Sequence, residues 1–189
     1  MARPLSDEKR DAILTAAGRL VAAQGVAAST AQIAKAAKVA EGTVFTYFEN
    51  KDVLLNALFV RLEMRLAANI GDAFPVEASA QDELQHVWNA LIRWGLQYPD
   101  DAKALRQLKV SDRISDSTRL HCEGLFGGML QALQRKLSAH IDPDRLPFYL
   151  GRVLVNLLDT TLDAITAQPE QRQSLQQAGF DLFWKGIQR

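Results

Sequence analysis

The chain is expected to be all-α with about nine helices, and three observations point there. Apolar residues recur at three- and four-residue spacing almost throughout. No run of four to eight residues alternates strictly with β-branched enrichment. Residues that suit helix starts stand ahead of the periodic stretches, beginning with Ser6.

Each element follows from its own residues. Ser6 can cap a first helix with Asp7 and Glu8 in its first turn; Ile13, Ala17, Leu20 and Val21 form its inward stripe, and Gly25 ends it. Ser29 or Thr30 caps a short second helix through about Ala37, with Ile33, Ala34 and Ala37 on one face. A third short helix lies in Val39 to Phe48, and Asn50 can cap a fourth from Lys51 to about Gly71. Ser79, with Asp82 three residues on, opens a fifth to about Gln97 that carries Leu84, Trp88, Leu91 and Ile92. "YPDD" breaks it. Ala102 to Val110 and Thr118 to His140 follow as helices, and "IDPD" starts another, with Asp142 at the cap and Pro143 at the first helical position, reaching Ala167. Pro169 separates that helix from a last one ending near Ile187.

Composition bounds what such a protein can be. With 189 residues, 48% hydrophobic and 23% charged, there is apolar material for a packed core in one domain or two small ones. No apolar run approaches the roughly 18 residues of a membrane span, and "MARPLSDEKR" has no apolar stretch behind its basic residues, so a cytoplasmic protein without a membrane partner is expected. The single cysteine, Cys122, makes no internal disulfide and no CxxC zinc site. Lys plus Arg equals Asp plus Glu at 22 each, so any polyanion binding depends on where the charges sit. Residues 1 to 55 carry seven basic side chains (Arg3, Lys9, Arg10, Arg19, Lys35, Lys38, Lys51) against six acidic ones.

Two short helices joined by a tight turn and packed on a longer first helix are the geometry of a helix-turn-helix unit. Ile33, Ala34, Ala37, Val39, Val44 and Phe48 would hold the pair at its crossing angle, leaving Glu41, Gly42, Thr43, Thr46 and Tyr47 to solvent or to a groove. Gly42 costs up to about 1 kcal/mol of helix propensity relative to Ala, yet permits close backbone approach to DNA. Thr30 and Lys51, each at a helix start, could hold phosphate; Tyr47 could donate its phenol to another while its ring packs at the core's edge. Each feature taken singly also suits an ordinary helical bundle.

The whole stretch "GVAASTAQIAKAAKVAEGTVFTYFENKDVLL", Gly25 to Leu55, resembles the DNA-binding domain of TetR-type transcriptional regulators. The family pattern falls on Gly25, Ser29-Thr30, Ile33-Ala34, the turn Ala37-Lys38-Val39-Ala40, Gly42, Val44-Phe45, Tyr47-Phe48 and Lys51. The resemblance puts Thr30, Thr43, Phe45, Tyr47 and Lys51 at DNA-contacting positions; Ser29, Lys38, Gly42 and Thr46 complete the expected DNA-binding set, and no enzymatic role or cofactor is expected. Three residues depart from the pattern. Lys38 replaces the turn glycine, which puts a non-glycine in a left-handed conformation at roughly 1 kcal/mol. Ala40 replaces a capping Ser, and Phe45 replaces a Tyr, so apolar contact with sugar or thymine methyl stands in for a phosphate hydrogen bond.

The resemblance also implies a division into a helix-turn-helix domain, 1–52, and a larger helical domain, 53–189, that binds a small hydrophobic effector, cations included, and dimerises. Candidate ligand residues are Phe59, Leu62, Leu84, Trp88, Leu91 and Ile92, with Phe126 and Leu154 beside them and Trp94 and Asp159 as further options. For Trp88 the choice lies between a stacking wall for an aromatic ligand and plain core. The last two helices are apolar on more than one side, which calls for two packing partners. Leu157, Thr161, Leu175, Phe180, Phe183 and Trp184 are therefore expected at a homodimer interface. A two-fold dimer reads a near-palindromic double-stranded operator with its reading heads about 34–36 Å apart or a multiple. The competing reading is a helical small-molecule carrier with no DNA role. His86, His121 and His140 share no metal-type spacing, and the glycines of "GLFGGM" follow no strand, so neither a metal site nor a phosphate loop is expected.

Overall fold

The computed structural model describes residues 6–75 and 77–188; Met1 to Leu5, with Arg3 of the charge count, lie outside that range, as do Val76 and Arg189. The described residues are helical, with no strand among them. In order they form α1 (Asp7–Gln24), α2 (Thr30–Ala36), α3 (Glu41–Tyr47), α4 (Lys51–Gly71), α5 (Ala80–Gln97), α6 (Pro99–Lys109) and α7 (Asp116–Leu137). A three-ten turn (Pro143–Arg145) leads into α8 (Leu146–Phe148), a π-helical segment (Tyr149–Val153) and α9 (Leu154–Ala167); a second three-ten turn (Pro169–Gln171) precedes α10 (Arg172–Ile187). Counting the unbroken run 146–167 as one helix, nine helices are described.

Local chemistry sets most of these ends. Ser6 accepts from the Lys9 N–H at 3.4 Å, Asn50 from the Val53 N–H at 2.9 Å, and Ser79 from the Asp82 N–H at 3.1 Å, each relieving a donor that the first helical turn leaves unpaired. Gly25 closes α1 at φ 71°, a left-handed backbone that glycine adopts without strain.

Three expected boundaries move. α6 begins at Pro99, not Ala102: proline needs no partner for its missing N–H in a first turn, and Asp100 and Asp101 suit the positive end of a helix. α7 runs Asp116–Leu137, not Thr118 to His140, and is interrupted at Gly127, where φ 32° and ψ −128° are open to glycine. Asp142 does cap, accepting from the Asp144 N–H at 3.2 Å, but it caps a three-ten turn ahead of the longer helix.

The residues group into two compact units. The first takes the chain up to Arg65 together with Tyr98–Leu125; the second takes Leu66–Gln97 and Phe126 onward. α4 and α7 each run from one unit into the other. In the first unit, Ile13, Leu14, Ala17 and Val21 bury one face of α1 between α2 and α6. Arg65 of α4 pairs with Asp101 and lies 4.5 Å from the centre of the Tyr98 ring. In the second unit α5, α9 and α10 pack together around Trp88, whose indole N–H donates to the Gln176 carbonyl at 2.9 Å.

Candidate nucleic-acid interface

The α2–α3 pair is built from short-range bonds. Ser29 and Gln32 cap α2 reciprocally: the Ser29 hydroxyl accepts from the Gln32 N–H at 3.2 Å and the Gln32 amide oxygen accepts from the Ser29 N–H at 2.9 Å. The helix closes at Ala37, and the chain reverses through Lys38 at φ 57°, the left-handed turn expected of that position. A lysine there leaves its ammonium exposed on the turn. Ala40 starts α3 with no side-chain cap, as its residue type dictates; its carbonyl accepts from the Thr43 N–H at 2.9 Å.

Val44 and Phe48 are buried with Ile33 and Ala34, so one face of α3 is spent on packing. The other is open. Glu41, Gly42, Phe45 and Thr46 are exposed, Phe45 at 46% although it is a large apolar ring. A Cβ built on Gly42 would meet no atom within 4 Å, so the chain's own packing does not require glycine there.

Two side chains expected to hold phosphate have partners that local sequence does not reveal. The Thr30 hydroxyl donates to Glu41 Oε1 at 2.9 Å, tying the starts of α2 and α3 together. The Tyr47 oxygen accepts from the Ser6 N–H at 2.9 Å, bracing the start of α1, while its own hydroxyl proton stays available for donation. Lys51 is half-buried at the start of α4. Burial pulls its amine below the ordinary pKa, the Arg113 charge adds to that fall, and Asp52 opposes it. Arg113, absent from the sequence reading, donates to Asp52 Oδ1 at 2.7 Å.

The ligand candidates divide between the units: Phe59 and Leu62 belong to the first, and Leu84, Trp88, Leu91, Ile92, Phe126 and Leu154 to the second. Trp88 is fully buried with its N–H bonded, and a Cβ added to Gly179 would stand 2.7 Å from its ring. Of the two readings of Trp88, this packing favours core. Leu91 and Phe126 are half-buried, while Phe59, Leu62, Leu84, Ile92 and Leu154 are buried. Of the dimer candidates, Thr161, Phe180, Phe183 and Trp184 are buried within one copy of the chain; helical periodicity does not tell which apolar face the chain itself covers. Leu157 and Leu175 are half-buried, and Val155 and Leu182 on the same helices are exposed at 39% and 65%. Among the described residues no three His, Cys, Asp or Glu side chains are disposed to hold a metal ion, and no helix is long and apolar enough to cross a membrane.

A capped α2, a tight left-handed turn and an α3 that is apolar inside and open outside form a helix-turn-helix unit. Residues 13–58 match the family described as bacterial regulatory proteins, tetR family. An HTH-type transcriptional regulator of Haemophilus influenzae is 25% identical over 192 residues, covering 99% of this chain and all of that protein. The crystal structure of a TetR family transcription regulator from Marinobacter aquaeolei VT8 superposes with a TM-score of 0.80 at 25% identity, covering 97% of each chain. The TetR-like regulator LfrR of Mycobacterium smegmatis, solved in complex with proflavine, shares the fold at 20% identity with a TM-score of 0.68, over 97% of this chain and 99% of that one. The chain is thus similar over nearly its whole length to TetR-type transcriptional regulators, and its residues 13–58 match that family.

Proposed function

We propose that the chain is a homodimeric repressor that leaves its operator when a hydrophobic small molecule binds its larger domain. The observation that carries the reading is the open face of α3: Gly42 with nothing near it, Phe45 exposed, and Thr43 and Thr46 beside them. Phe45 gives that face an apolar ring that a partner can cover. On DNA, Phe45 meets sugar or thymine methyl, Tyr47 donates to phosphate, Lys51 and Lys38 supply charge, and Ser29 and Thr30 present polar groups at the start of α2. The functional division, 1–52 for reading DNA and 53–189 for ligand and dimer, follows from this assignment.

The effector acts through covalent continuity. α4 lies in one unit as far as Arg65 and in the other from Leu66, so a ligand that moves one part of the helix moves the rest. The ligand selects a population in which the two α3 helices of a dimer no longer match one DNA turn, about 34–36 Å. Leu157, Leu158, Leu175, Val155 and Leu182 are large apolar residues of α9 and α10 left for the partner subunit. Segments such as "WNALIRWGL" and "RQLKVS" resemble the multidrug-efflux regulator RamR, and LfrR was solved in complex with proflavine; both support a hydrophobic small-molecule effector.

Fluorescence anisotropy with duplexes from upstream of the chain's own gene tests the reading. Wild type should bind one near-palindromic segment, Phe45→Ala and Lys51→Ala should weaken that binding, and a compound found by thermal shift among hydrophobic cations, bile-type amphiphiles and dyes should release the DNA. A compound that stabilises the protein and leaves DNA affinity unchanged would contradict the release mechanism.

A further inference from the structure

One basic side chain outside the α2–α3 pair is brought to the start of α4. The loop between α6 and α7 is tied to that helix by Asn56, whose amide nitrogen donates to the Arg113 carbonyl at 2.9 Å and to the Asp52 carbonyl at 2.7 Å. The Asn56 amide oxygen accepts from the Ser115 N–H at 3.0 Å, and the Ser111 hydroxyl accepts from the Arg113 N–H at 3.2 Å. With its backbone held on both sides, Arg113 reaches Asp52, the residue that follows Lys51, and the Asp52 pairing holds its guanidinium charged. The two side chains are 45% and 56% exposed. An ion pair so open to water adds little to folding, so stability is a weak reason for such firm placement.

We propose that Arg113 is a DNA-backbone contact, holding phosphate beside Lys51, with Asp52 as the partner that the phosphate displaces. The inference rests on the DNA-binding reading of α3 and extends that interface to a loop far along the chain. A guanidinium presents two parallel N–H groups to two phosphate oxygens, whereas Lys51 offers a single point charge. Asp52 holds Arg113 in the free protein and repels phosphate, so the two partners of one ion pair act on DNA binding with opposite signs.

The test uses the full chain, wild type and two variants, Arg113→Ala and Asp52→Asn, titrated by anisotropy against the operator duplex between 50 and 200 mM salt. Arg113→Ala should weaken binding and flatten the slope of log affinity against log salt by about 0.9 per contact, about 1.8 for a two-fold dimer. Its affinity should then fall by roughly tenfold less than that of wild type across that salt range. Asp52→Asn should tighten binding. If Arg113 only braces α4, both variants break the same ion pair, shift affinity in the same direction and keep the wild-type slope; that result overturns the proposal. Failure of wild type to bind any upstream duplex would instead remove the DNA-binding reading on which it rests.

Discussion

Gly42→Ala separates what α3 does for the fold from what it does for DNA. In the free chain the new methyl meets no atom within 4 Å, so no clash opposes it. Gly42 lies within α3 and is exposed, and replacing glycine by alanine in such a position gains up to about 1 kcal/mol from reduced backbone entropy in the unfolded chain. In a chain of this size that raises Tm by about 2–4 °C. On DNA the same methyl enters the space that the bare backbone leaves for close approach. Overpacking of that kind costs about 1–3 kcal/mol, or roughly five- to 150-fold in affinity. Thermal denaturation and anisotropy on one preparation read both numbers. A higher Tm with weaker DNA binding is the expected pair of results. Unchanged or tighter binding would refute the close approach of α3, and a lower Tm would refute the open surroundings of Gly42.

Other perturbations follow from the same geometry. Ala40→Ser supplies the missing cap, accepting from the Thr43 N–H already directed at Ala40, and should stabilise the chain by about 1 kcal/mol in chemical denaturation. Gly179→Ala puts a Cβ 2.6 Å from Thr161 Oγ1 and 2.7 Å from Trp88 Cζ2, and both residues are buried and hydrogen-bonded; destabilisation of about 1–3 kcal/mol is expected, read as a lower denaturation midpoint. Burial first, and the Glu63 carboxylate second, push the Cys122 thiol above its ordinary pKa while Lys109 opposes them. A folded pKa above the unfolded one adds stability that is complete below the unfolded value and lost as pH rises through the folded value. Native Cys122 should therefore react with iodoacetamide at least about tenfold more slowly near pH 8.5 than it does in urea.

Much of the helical plan was legible because capping and turn chemistry are settled within a few residues. Ser6, Ser29, Asn50, Ser79 and Asp142 all cap as their types and spacings indicate, and Lys38 takes the left-handed turn that the motif demands. Gly127 was legible as a glycine but not as an interruption of α7, since nothing local forces φ to 32°. Pairings distant in the chain were hidden. Tyr47 with Ser6 and Arg113 with Asp52 are 41 and 61 residues apart, and no periodicity encodes them. The burial of Phe180, Phe183 and Trp184 was hidden for a related reason: an apolar stripe states that a face must be covered, and only the tertiary structure shows by what.

The open face of α3 as a DNA-reading surface is tested most directly by one titration: wild type and Phe45→Ala against the chain's own upstream duplex at fixed salt, each protein first shown to have the same Tm. Phe45 is 46% exposed, so its removal should leave Tm within about 2 °C and weaken binding to that duplex by roughly tenfold, a loss of about 1.4 kcal/mol. Equal affinity of the two proteins for the duplex would contradict the assignment of α3 to the groove.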